Sequence, residues 1–417
     1  MNFKILMLIF AIFLTTLSAK EFKVDSPNKK FEVKIIVDKN VSYSISKSGY
    51  KILLPSQISL TLNDERVLGV NPKLIDENKR TVDEVLRPVV KQKFEKIRDN
   101  YNELILTFEG NYSLIFRVYD DGVAYRFSTG FDENIIIKSE QVEFNFDKDY
   151  DILFPEEESF ISHSERIYQS IKLSEVTGKR FCSLPALVKL DNNRKVVITE
   201  ADLEDYCGLY LTRNQNKQNS FTGLFPQFPS KDTVRNDRDV YVTERKDYLA
   251  ETKGSRNFPW RVIVVSEKDG DLIESTMIYK LAKPADPKTD FSWIKPGKVA
   301  WDWWNFNNIY GVDFKAGVNT ETYKYYIDFA SKFGIEYIIL DEGWYKLGNL
   351  LDVNPDIDVE EIINYGKQKN VDVILWVIWK TLDDQLKEAL DQFVIWGAAG
   401  IKVDFMQRDD QPMVQYY

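Results

Sequence analysis

The texture of the chain changes once, and that change constrains its fold more than any other feature. From Phe22 to about Val265 the sequence is a succession of short apolar and polar alternations, such as Phe31–Val37, Leu104–Phe108, Tyr112–Val118 and Val123–Phe127. Turn signals such as Asp120-Asp121-Gly122 separate them. A period of two puts one face of each strand on a core and the other in water, so this half predicts a large all-β sandwich. After the proline-bearing segment Ala282–Lys298 the pattern becomes strand, helix, strand, helix. Strands are expected at Lys298–Trp304, Glu336–Leu340, Val371–Trp379 and Gly400–Met406, with helices at Glu321–Phe333, Asp358–Gln368 and Leu382–Trp396. Strict alternation implies parallel strands with right-handed crossovers. Four such strands leave an open edge and eight close into a barrel, so the expectation is the first half of a (β/α)8 barrel in a protein that continues past Tyr417. An open sheet completed by something else is the alternative.

Length agrees with two units, since single cores stop growing near roughly 250–300 residues and this chain has 417. The expected organisation is a signal peptide at 1–19, a β-sandwich domain at 20–283, a linker at 284–297 and a partial catalytic barrel at 298–417. The leader places Lys4 before the apolar run Ile5–Leu14 and ends in Leu17-Ser18-Ala19. It reads as an export signal cleaved near Ala19, which predicts a periplasmic or extracellular protein. The run is shorter than the roughly 20 residues a spanning helix needs, so no membrane span is expected. A net charge of −10 without basic stripes argues against nucleic-acid partners. Cys182 and Cys207 would meet an oxidising compartment, where a bridge and two half-buried thiols are both open readings. His163 is the only histidine in the chain, which removes Ser-His-Asp triads and His-ligated zinc.

Barrel chemistry sits at the C-terminal ends of the strands. Those ends offer Asp302, Asp341 with Glu342, Lys380, and Lys402 with Asp404. Lys402 and Asp404 share one face of their strand, and a lysine beside a carboxylate holds it ionised, as a nucleophile requires. A structural ion pair is the competing reading. Asp341-Glu342-Gly343-Trp344 could bind sugar hydroxyls and cover a sugar ring with its indole, or plug the barrel end. Trp301-Asp302-Trp303-Trp304 reads equally as core and as cleft. Val196–Leu203, which contains Glu200, is by itself a strand running into a solvated acidic turn.

Taken together and in order, Gly400–Met406 with Arg408–Gln411, Ile198–Leu203, Asp121–Phe127, Pro259–Val262, Trp301–Trp304 and Asp341–Trp344 resemble glycoside hydrolase family 97 along nearly the whole mature sequence. The resemblance implies a β-supersandwich followed by a (β/α)8 barrel, with hydrolysis of α-linked sugars assisted by Ca2+. It implies that Asp404 is the nucleophile of the retaining, α-galactosidase-like branch and that Glu200 is a calcium ligand reaching from the sandwich. Asp302, Asp341, Trp344 and Lys402 become candidate substrate-binding residues. Carbohydrate is the expected partner, and oligomeric state is not legible. The resemblance places the family's acid/base glutamate and further calcium-binding glutamates after Tyr417, so the sequence as given is expected to be inactive. An α-glucosidase of the same family and a noncatalytic glycan-binding protein of the envelope are the alternatives.

Overall fold

A computed structural model describes residues 19–91, 93–236 and 238–417. The expected leader therefore lies, apart from Ala19, outside the described residues.

Alternation in the first half produces two large antiparallel sheets, one of 11 strands and one of 10. Strand Phe31–Val37 illustrates the cause: Phe31, Val33, Ile35 and Val37 are buried while the intervening residues face outward. The inward faces of the two sheets share one apolar core that runs from Phe22 to Val265. Two short helices, Asp269–Glu274 and Met277–Leu281, follow the last strand of this half. Met277 and Leu281 pack with Tyr101, Tyr119 and Trp260 on the outer face of the 10-stranded sheet.

Three neighbouring strands of that sheet, Gly122–Gly130, Trp260–Ser266 and Lys195–Ala201, carry the motifs of the first half in register. Glu200 is paired with Arg261, and Arg261 with Tyr125. The alternate residues lie on the opposite face. There Arg126 pairs with Asp202 at 3.1 Å and lies 4.1 Å from the Trp260 ring. Asp202 also accepts the backbone N–H of Lys283 at 2.9 Å, which ties the start of the connecting segment to the sheet.

The second half contains a four-stranded parallel sheet in sequential order, Val299–Trp301, Tyr337–Leu340, Asp372–Ile378 and Gly400–Asp404. Helices Thr320–Phe333 and Val359–Gln368 connect the first three strands and pack on the sheet. Asn319 and Asp358 cap these helices by accepting backbone N–H bonds from Thr322 and Glu361. Gly334, with φ of 64°, ends the first of them in a conformation that costs glycine little.

Three expected elements differ in extent. The first strand stops at Trp301, and Asp302–Asn305 forms a 3-10 turn. The helix expected at Leu382–Trp396 is two helices, Trp379–Asp384 and Leu386–Trp396, broken at Gln385, whose φ of −129° is not helical. The fourth strand stops at Asp404 because Phe405 adopts a φ of 67°, so Met406 does not continue the Lys402 and Asp404 face. Cys182 and Cys207 are both buried and free.

Candidate active site

The fourth strand delivers Lys402 and Asp404 to one face at its C-terminal end. Lys402 Nζ donates to Asp404 Oδ2 at 2.5 Å. Trp376, which lies opposite Lys402 on the third strand, donates its indole N–H to the same oxygen at 2.9 Å. The backbone N–H of Phe405 donates to Oδ1 at 2.8 Å, a contact allowed by the turn that ends the strand. Burial is the largest influence on the Asp404 carboxyl and works to raise its pKa. The three hydrogen bonds and the Lys402 charge together outweigh it and hold the group below its ordinary value. Asp404 therefore stays ionised, and its side chain is still 34% exposed.

Lys402 Nζ also lies 5.1 Å from the centre of the Trp301 ring on the first strand. Three strand spacings would separate these strands by about 14 Å in a flat sheet. The long Lys402 and Trp301 side chains reach toward each other across the two middle strands. Trp301 in turn donates its indole N–H to Asp341 Oδ2 at the end of the second strand. Asp341, Trp301, Lys402, Asp404 and Trp376 form one continuous polar and aromatic chain across all four strand ends.

The remaining sequence candidates separate by exposure. Asp341 is 7% exposed, with one oxygen on Trp301 and the other accepting its neighbour's N–H, from Glu342, at 2.6 Å. Asp302 is 1% exposed and accepts the Tyr323 hydroxyl at 2.9 Å, and burial pushes its carboxyl up to about 6. Its burial favours the core reading of Trp301–Trp304 at this position. Trp344 is a correction. Its ring is fully buried against Tyr345, Phe393 and Trp396, and its N–H donates to the Trp376 carbonyl at 2.8 Å. This indole secures the third strand from behind the site. The exposed aromatics at the strand ends are instead Trp303, Trp304, Phe306 and Tyr310, after the first strand. Lys380 is drawn to Asp383 and Asp384 of its own helix.

Glu200 is held within the sandwich. Its Oε2 meets Arg261 at 2.7 Å, and its Oε1 accepts the Leu209 N–H at 2.9 Å. Arg261 is fully buried and also pairs with Glu140 at 2.6 Å. Burial, the largest influence, raises the Glu200 carboxyl despite Arg261 beside it. Calcium takes six to eight oxygens, and among the described residues no group of three or more His, Cys, Asp or Glu side chains is placed to hold a metal ion. Arg261 is shared between Glu200 and Glu140, and Asp409 adds a further negative charge near Glu200.

Three contributors were not found from the sequence. Trp376 could have been, because the predicted third strand places it opposite Lys402. Arg238 and His163 could not, since they come from distant loops of the first half. Arg238 donates to Glu342 through Nη2 at 2.8 Å and Nη1 at 3.2 Å. The His163 ring lies 5.8 Å from the Phe405 ring.

The strand-end carboxylates and indoles leave one open, ionised aspartate, and comparison with known proteins supplies the class of this site. The Glycosyl-hydrolase 97 N-terminal family model matches residues 24–284, and the Glycoside hydrolase 97 model matches residues 303–417. The chain belongs to glycoside hydrolase family 97. It is 38% identical over 411 residues to a retaining alpha-galactosidase of Bacteroides thetaiotaomicron, covering 95% of this chain and 62% of that protein. A probable retaining alpha-galactosidase of Streptomyces bingchenggensis is 25% identical over 391 residues, covering 90% of this chain and 55% of that one. Thus the chain spans less than two thirds of the length of these relatives. Among solved structures, a family 97 enzyme from Pseudoalteromonas sp. strain K8 in complex with acarbose superposes with a TM-score of 0.79 at 22% identity, covering 95% of this chain and 63% of that one. A beta-arabinopyranosidase superposes with a TM-score of 0.78 at 23% identity, covering 95% and 64%. Both support the fold.

Proposed function

We propose that this chain carries the nucleophile of an exported, retaining glycosidase that releases terminal α-linked galactose. The observation that carries the reading is Asp404: open at a strand end, held ionised by Lys402, and aimed by Trp376 and the Phe405 N–H. The four parallel strands in sequential order with helical crossovers support its placement in a (β/α)8 barrel, and the leader ending near Ala19 supports export. The α-galactosidase specificity rests on the likeness to the Bacteroides protein.

In the reaction, an Asp404 oxygen attacks the anomeric carbon while the bond from that carbon to the leaving oxygen breaks, giving a glycosyl ester. The leaving oxygen takes a proton from a second carboxyl, which in this proposal is a glutamate on a later barrel strand. That group then removes a proton from water as the water attacks the ester. Two inversions restore the original configuration and free Asp404. Lys402 and Trp376 hold the carboxylate charged and oriented before attack, and no step runs through calcium.

The test is a proton NMR time course of the full-length protein acting on an aryl α-galactoside. α-Galactose should appear first. Asp404→Ala should reduce turnover by on the order of 10⁴-fold or more, with azide restoring consumption as β-galactosyl azide. Net inversion would remove Asp404 from the nucleophile's role, and binding without turnover would favour a noncatalytic glycan-binding protein.

A further inference from the structure

Strands Pro229–Val234 and Val240–Arg245 pair with each other and with neither large sheet. This hairpin leaves the sandwich and lies against the parallel sheet at the strand ends. Val240 is buried in a cluster with Trp379 and Met413, against which Val403, Phe405 and Met406 pack. Polar ties run along the hairpin: Arg245 reaches Asp410 at 3.5 Å, Asp232 reaches Arg408 at 3.8 Å, and Asp239 accepts from Gln407 at 3.4 Å. At the tip, Asn236 Oδ1 accepts the N–H groups of Arg238 and Asp239 at 3.0 and 2.7 Å.

Arg238 then spans the site. Its guanidinium grips Glu342, which follows the second strand, through two hydrogen bonds, and lies 5.0 Å from the centre of the Phe405 ring, which follows the fourth. It therefore touches residues that follow the second and the fourth strands, the latter being the neighbour of Asp404. Arg238 and Glu342 keep 27% and 34% of their side chains exposed, much like Lys402 and Asp404 at 30% and 34%. A partly exposed guanidinium–carboxylate pair presents N–H donors and carboxylate acceptors side by side. The glycosidase reading puts the attacked sugar against the Asp404 carboxylate, which leaves the neighbouring Arg238–Glu342 pair for the sugar on the leaving-group side.

We infer that the Arg238–Glu342 pair is a binding site for the leaving-group saccharide, so that a hairpin of the sandwich sets which α-galactosides the barrel accepts. The inference rests on the glycosidase reading above. Its experiment measures kcat/KM of the full-length protein for an α-galactosyl trisaccharide and for an aryl α-galactoside, together with Tm. Arg238→Ala and Glu342→Gln should each lower the ratio of trisaccharide to aryl galactoside by about tenfold. The swap Arg238→Glu with Glu342→Arg should recover Tm relative to either charge reversal alone, because the ion pair re-forms, without recovering the ratio. If the swap restores both, or if none of the variants moves the ratio, the pair is an interdomain tie and the inference falls. Wild-type protein that hydrolyses neither compound overturns the glycosidase reading and this inference with it. A normal wild type with an unmoved ratio overturns this inference alone.

Discussion

Asp404 shows how three neighbours can keep a half-buried carboxylate charged. Burial alone would raise its pKa; Lys402 supplies the opposing charge, while Trp376 and the Phe405 N–H supply direction. Lys402→Met is expected to move the acid limb of the kcat/KM against pH profile upward by about one pH unit, while Lys402→Arg moves it less. Asp302 behaves in the opposite sense. Its folded pKa of about 6 lies above the roughly 3.9 of an unfolded aspartate. Between these values the folded state holds a proton that the unfolded state has lost, so stability falls as pH rises from about 4 to about 6. Asp302→Asn should flatten that slope and gain on the order of 2–3 kcal/mol above pH 6, as read by urea denaturation across pH. The alternation rule alone located the Lys402 and Asp404 pair. Trp344 defeated the same kind of reasoning, because chain position brings a residue to a strand end without deciding whether it turns to solvent or to the helices behind.

Elements bring the next set of residues together. Strand register stacks Glu200 against Arg261, and Arg261 reaches Glu140, giving one buried cation between two carboxylates. Removing the cation leaves both acids uncompensated, so Arg261→Met should cost about 3–5 kcal/mol, checked by thermal or urea unfolding. A variant lost by less than 1 kcal/mol would mean that the pairing is dispensable. The helices were legible where the apolar period was sustained, as over Glu321–Phe333 and Asp358–Gln368. Strands were misjudged where a single backbone angle intervened. Phe405 cuts the fourth strand short, and a turn after Trp301 releases Trp303 and Trp304 from the sheet into solvent. The hairpin that carries Arg238 was read only as further strands, since its partner surface lies more than 100 residues away at Glu342.

Over the whole molecule, the sandwich and the parallel sheet meet around the fourth strand's end. Tyr210 donates to Asp409 at 2.6 Å, Gly208 N–H donates to the Asp409 carbonyl at 2.8 Å, and Gln411 reaches Asp205 and Glu251. The segment after Asp404 is thus held by the sandwich, which makes the first half part of the site's support. The parallel sheet's flanks carry exposed apolar side chains: Tyr325, Phe329 and Phe333 on one outer helix, Val394 and Ile395 on another. The two architectures were readable from period alone, whereas their mutual docking was not, because it depends on ion pairs between residues with no pattern in common. The claim that binds these scales together is that Asp404 forms the covalent intermediate. Incubating the full-length protein with a 5-fluoro-galactosyl fluoride and mapping the modified peptide by mass spectrometry tests it most directly: the account predicts one sugar attached at Asp404, and a label on any other carboxylate would contradict it.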